Sequence, residues 1–239
     1  MAIEGERRQW SRREVLAFSV AGTSALMAGD ARGGALLQPS NRPWGVQLYT
    51  VRDQVEQDAA KVLRSVAAIG YKELEILQPT LPKVAPIARK LGLSMVSAHL
   101  DEAASEGGEG LPAFIAQARD HGLRYLVIAW VPPERRPTDR AGFERLAERF
   151  SRIGDQVARA GMQLCYHNHA FEFGRSSDGA RWLDVLMKAT EAANIRLELD
   201  VFWVSVTGAQ PLDVINQYGG RIALMHLKDR SPRATPTLL

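Results

Sequence analysis

The chain has 239 residues, 46% of them hydrophobic and 24% charged, with a formal net charge of +3. That length and apolar content suffice for one full-sized core, which excludes wholesale disorder. Lys and Arg are interspersed with Asp and Glu, with no basic stripe carrying interleaved aromatics, so nucleic acid is not an expected partner.

At the start of the chain, Ser11-Arg12-Arg13-Glu14-Val15-Leu16 precedes an uncharged run from Ala17 to Gly29 that is rich in Ala, Ser and Gly. Paired arginines before a weakly apolar segment resemble a twin-arginine export signal. The alternative is an amphipathic helix with an incidental Arg pair. The run is too short for a standard membrane span. The expected organisation is a signal peptide over 1–35, a linker over 36–43, a barrel domain over 44–229 and an irregular tail over 230–239. The destination that the resemblance implies is the periplasm, with no stable membrane span once the signal is removed.

From Trp44 onward, short apolar runs alternate with longer amphipathic ones. Strand Trp44–Thr50 is followed by a helix over Asp53–Ile69 that Gly70 ends, then strand Tyr71–Leu77 and a helix over Pro82–Leu91 that Gly92 ends. Strand Leu93–Leu100, helix Leu111–His121, strand Arg124–Val131 and a long helix over Asp139–Ala160 come next. Strand Gln163–His169, helix Gly179–Ala193, strand Ile195–Asp200, a weak helix over Pro211–Tyr218 and strand Arg221–Leu227 complete the series. Such alternation predicts a parallel sheet with helical crossovers, an α/β fold. No Gly-rich phosphate fingerprint follows the first strand, where Tyr49-Thr50-Val51-Arg52 stands instead. Polar residues recur at strand carboxyl ends, which favours a (β/α)8 barrel over an open doubly wound sheet. The single cysteine, Cys165, excludes an intrachain disulfide and reads as inert core.

Three strand ends concentrate the chemistry: Tyr166-His167-Asn168-His169-Ala170-Phe171-Glu172, Leu197-Glu198-Leu199-Asp200 with Trp203 three residues on, and Met225-His226-Leu227-Lys228-Asp229. Imidazole and carboxylate groups brought together from separate strands suit a divalent cation such as Mn, Mg, Co or Zn. Asp200 closes an apolar strand, where an isolated charge is too costly, so it is either a cation ligand or the N-cap of a following helix. His226 is a ligand candidate too, against the reading of a satisfied core histidine.

These motifs, with their order and the separation of Asp200 from His226, resemble the xylose isomerase-like family of sugar phosphate isomerases and epimerases. The likeness runs from about Trp44 to Asp229. It implies a TIM barrel, one catalytic divalent metal, a sugar or polyol substrate and a homo-oligomer as a possible assembly. Carried over residue by residue, the metal ligands are Glu172, Asp200 and His226, with His167 or His169 as alternatives to Glu172 or as groups that orient the ligands. Glu172 is also the expected base and Lys228 the group that stabilises a developing oxyanion. Glu75, His99, His167, His169 and Trp203 are expected to meet substrate, with Gln47, Tyr49 and Trp130 beside them. Trp203 stands where some epimerases of the family carry a His, so that contact is expected to be lost.

The resemblance also implies an eighth strand bearing a second carboxylate, and the residues after Asp229 contain neither Asp nor Glu. A barrel lacking its last β/α unit is therefore expected. The readings in competition are a metal-dependent isomerase or epimerase acting through an enediolate, a polyol or keto-acid dehydratase on the same metal site, and a catalytically impaired sugar-binding protein.

Overall fold

The computed structural model describes residues 44–193 and 195–228. The twin-arginine segment, the linker, Asp229 and the 230–239 tail lie outside the described residues. Seven strands form one parallel sheet in sequential order: β1 Gly45–Gln47, β2 Glu73–Leu77, β3 Ser94–His99, β4 Tyr125–Ile128, β5 Gln163–His167, β6 Arg196–Asp200 and β7 Ile222–His226. β2 and β7 are five positions apart in that order, which would separate them by about 24 Å in a flat sheet. Yet His226 Nε2 of β7 lies 2.7 Å from Glu75 Oε1 of β2. The sheet therefore curls on itself as a TIM-type α/β barrel does, and the strand ends converge on its axis. Among the described residues β1 and β7 are its edges, with no eighth strand between them.

Helices cover the outside: α1 Arg52–Ile69, α2 Leu81–Leu91, α3 Glu102–Ser105, α4 Leu111–Asp120, α5 Arg140–Arg159, α6 Trp182–Ala189, α7 Val201–Val206 and α8 Pro211–Tyr218. α1 buries Val55, Ala59, Leu63 and Val66, a stripe at helical spacing, and ends at Gly70, whose φ of 111° an L side chain rarely adopts. Asp139 caps α5 by accepting from the Gly142 N–H at 2.7 Å, and Phe143, Leu146, Phe150, Ile153 and Val157 make its inner face. Gly154 lets that helix approach closely, since a Cβ there would meet Ile195 Cδ1 at 2.6 Å. Among the described residues no helix is long and apolar enough to cross a membrane.

Two elements depart from the sequence reading in ways that shape the site. The first strand is short, and Leu48–Val51 turns into a 3-10 helix, which leaves Tyr49 half-exposed. β5 stops at His167, and its expected last residues, Asn168 and His169, begin a turn that leads to a 3-10 helix over Phe171–Phe173.

Candidate functional site

Parallel register and side-chain alternation bring a set of polar residues together inside the curled sheet. Gln47 pairs with Glu75, Leu77 with His99, His167 with Glu198 and Asp200 with His226. On β6 the alternating residues Leu197 and Leu199 pack in the hydrophobic core, while Glu198 and Asp200 join the polar cluster. The two register shifts in the sheet fall at Leu74/Glu75 and Leu197/Glu198. Irregularities of this kind re-aim side chains beside active sites, and here each turns a carboxylate toward the histidines.

The polar groups form two layers. In the deeper one, His99 Nε2 lies 2.9 Å from Glu75 Oε1 and 3.0 Å from Glu198 Oε2. His226 Nε2 lies 2.7 Å from Glu75 Oε1, and His167 Nδ1 lies 2.9 Å from Glu198 Oε2. Ser97 Oγ donates to Glu75 Oε2 at 2.7 Å. In the outer layer, Asp200 Oδ2 lies 3.7 Å from His167 Nε2, 3.7 Å from His226 Nδ1 and 2.6 Å from Lys228 Nζ. Asp200 Oδ1 is spent on capping α7, accepting from the Phe202 and Trp203 N–H groups at 2.9 and 3.1 Å. Asn168 fixes the backbone of Asp200: its Oδ1 accepts the Asp200 N–H at 2.9 Å and its Nδ2 donates to the Asp200 carbonyl.

Charge follows this geometry. Burial works against the charge of Glu75, but His99 and His226 beside it hold its carboxyl well below the usual carboxylate range. Burial and the neighbouring Glu75 charge push Glu198 up to about 7. His99 is pushed up to about 10 and His226 to about 9, because carboxylates outweigh the burial that lowers them. His167 is driven well below the ordinary histidine value by burial and by the two charged imidazoles near it, so it is neutral.

The sign of the resulting pH dependence follows from two histidines whose values are raised on folding. Their stabilisation is fully present below the ordinary value near 6.5 and is lost as pH rises through about 9 to 10. Metal-free protein is expected to melt at progressively lower temperature between pH 7 and 10, as scanning calorimetry in a chelator would record. A flat profile would show that these imidazoles are neutral in the fold.

A cation site passes the test of the donor atoms. Atoms of His99, His167, Glu198 and His226 lie within 4.8 Å of one another, a grouping that could hold an ion. Most of those atoms already pair among themselves. Buried atoms without a hydrogen bond occur in both layers, Glu198 Oε1 in the deeper one and His226 Nδ1 in the outer one, where Asp200 Oδ2 faces it at 3.7 Å and pairs with the Lys228 ammonium at 2.6 Å. His167 and His226 each turn one ring nitrogen to a deep carboxylate and the other toward Asp200. That is the carboxylate–histidine arrangement that orients imidazole ligands. Ligands about 2.1 Å from a tetrahedral cation stand about 3.4 Å apart, close to the spacing seen here.

Above this cluster opens a cavity of about 520 Å³, walled by Gln47, Tyr49, His99, Trp130, His167, His169, Trp203 and Lys228. His169 stands between two tryptophans, its ring 5.4 Å from Trp130 and 5.1 Å from Trp203. Burial and the neighbouring His167 lower His169 to about 3, so it is a neutral imidazole.

Of the residues singled out from sequence, Asp200, His226, His167, His99, Glu75 and Lys228 come together, and His169, Trp203, Trp130, Tyr49 and Gln47 line the cavity. Glu172 does not join them. The turn after His167 carries it back to the Tyr166 side of β5, where it accepts from the Tyr166 hydroxyl and, at 2.9 Å, from the His169 N–H. Burial raises it to about 7, against the lowering effect of those hydrogen bonds. Glu198, part of a strand end singled out from sequence but given no role there, is fully buried at the centre of the deep layer. The signal for it was alternation, since a residue two before Asp200 must share its face.

The sequence profile of the family described as xylose isomerase-like TIM barrel matches residues 63–237. An inosose dehydratase of Geobacillus kaustophilus is 26% identical over 74% of this chain and 63% of its own length. One from Lacticaseibacillus casei is 34% identical over 36% of this chain and 28% of its own length. This chain thus spans less than two thirds of the length of the dehydratases it matches. Among solved structures, a sugar phosphate isomerase/epimerase from Parabacteroides distasonis superposes with a TM-score of 0.67 at 25% identity, covering 78% of this chain and 74% of that one.

Proposed function

The chain belongs to the xylose isomerase-like TIM barrel family, and on that premise we propose that it is a divalent-metal-dependent isomerase or epimerase of sugars or sugar derivatives. The observation that carries this reading is the convergence of His167 Nε2, Asp200 Oδ2 and His226 Nδ1, with each imidazole backed by a buried carboxylate. These three residues would hold the cation. Two imidazoles among the donors favour Mn, Co or Zn over Mg. Bound there, the cation would polarise a carbonyl and its neighbouring hydroxyl and so acidify the carbon between them.

The residues of the chain supply the rest. Lys228 lines the cavity and can donate to a developing oxyanion. Both oxygens of Glu172 are engaged behind β5, so among the described residues the acceptor for the carbon-bound proton would come from the cavity wall. There His169 is a neutral imidazole, its ring set between Trp130 and Trp203. Glu75, Glu198 and His99 hold the ligand imidazoles in place.

A second reading, loss of water from a cyclic polyol or keto-acid, is favoured by the likeness to inosose dehydratases over most of the chain. Incubating the Mn-, Co- or Zn-loaded chain with ketoses and inososes in D2O separates the two. Deuterium incorporation with retention of all oxygens is expected for the isomerase. Formation of a dehydrated product would establish the second reading, and neither change with any of the three metals would sink both.

A further inference from the structure

Glu172 is a buried ionisable group that the proposed reaction does not use. It is 0% exposed, and its carboxylate accepts from the Tyr166 hydroxyl and the His169 backbone N–H. A buried carboxyl is costly, so its two hydrogen bonds must carry its place in the fold. What they join is specific. Tyr166 is anchored on the helix side of β5, its ring 5.2 Å from Phe150 of α5. His169 is the first residue after the strand whose ring reaches the cavity wall, between Trp130 and Trp203. The Arg136 guanidinium lies over the ring of Phe171, next to Glu172, 4.7 Å from its centroid, and 4.9 Å from that of Trp130.

We propose that Glu172 and Tyr166 are positioning residues: their hydrogen bonds tie the turn after β5 to the strand and so set His169 and the two tryptophans as the wall of the cavity. The wall is the substrate-facing surface only if the cavity serves the reaction proposed above, and to that extent the inference rests on that reading. The tie itself does not.

Nuclear magnetic resonance of the indole N–H groups of Trp130 and Trp203 and of the His169 ring, with titration by Mn2+ alone, tests it without any substrate. In Glu172→Ala and Tyr166→Phe those three signals are expected to shift or broaden while the ring signals of His99 and His226 hold and Mn2+ affinity stays at the parent value. Glu172→Gln keeps an acceptor for the His169 N–H and an amide for the tyrosine oxygen, and is expected to restore the parent spectrum. Tyr166→Phe and Glu172→Gln preserve side-chain volume, so the test survives if Glu172→Ala does not fold. A lower melting temperature with unmoved wall signals would reduce the pair to ordinary core packing and overturn the proposal. A fall in Mn2+ affinity of about tenfold or more in Glu172→Gln would overturn it differently, by making Glu172 part of the metal site. A chain that binds Mn2+ and turns over no sugar would fail the proposed reaction and leave the tie standing.

Discussion

Asp200→Asn is expected to lower divalent-metal affinity by about 100-fold or more, beyond the ~10–100-fold that loss of a supporting group costs, and to lower the melting temperature of the metal-free chain as well, because the buried carboxylate is the partner of the Lys228 ammonium and the His226 imidazole. The two carboxylate oxygens have separate duties. Oδ1 caps α7 through the Phe202 and Trp203 N–H groups, and asparagine caps a helix as well as aspartate does. Oδ2 faces His167, His226 and Lys228, and an amide there supplies no anionic donor. Asp200→Ala removes both duties and should cost about 1 kcal/mol more in stability from the lost cap alone. Calorimetric titration with Mn2+ or Zn2+, paired with thermal melts, reads both. Unchanged affinity in Asp200→Asn would move the metal to the deeper His99, His167, Glu198 and His226 group.

Asp200 also shows how far a sequence carries a site. Its two sequence readings, helix cap and metal ligand, are compatible because each needs a different oxygen. The cap is formed, and the oxygen turned to the histidines is left for the other. The alternation of apolar runs with amphipathic segments was enough to predict seven parallel strands and the longer helix after each of the first six, because period-two and period-3.6 patterns are local, while the short α3 and α7 were not among the predicted elements. Glu172 was not legible for a local reason of a different kind. A 3-10 turn after β5 reverses the face on which a residue five positions past His167 emerges, and strand alternation does not extrapolate across a turn. The pairing of Glu75 with His226 was hidden because it depends on the curl of the sheet, which brings β2 to β7. Glu198 was within reach, since strand periodicity places it beside Asp200.

The deeper layer carries the second large effect. Glu198→Ala is expected to destabilise the metal-free chain by about 3–5 kcal/mol, the cost of breaking a buried charged network by removing one member. For a chain of this size that is a fall of roughly 10 °C in melting temperature. Glu198 Oε2 faces His99 at 3.0 Å and His167 at 2.9 Å, and its side chain is inaccessible to water. Water cannot replace it without opening the core. His99 would keep Glu75 as its partner, but His167 would lose the carboxylate that orients it, and metal affinity should fall by about 10–100-fold. Glu198→Gln, with the same volume and a carbonyl acceptor, should recover most of the stability and part of the affinity. The pairing of the two losses is what marks a supporting residue. If metal binding disappeared while the melting temperature of the metal-free chain held, Glu198 would be a ligand in its own right, and the cation would sit one layer deeper than Asp200.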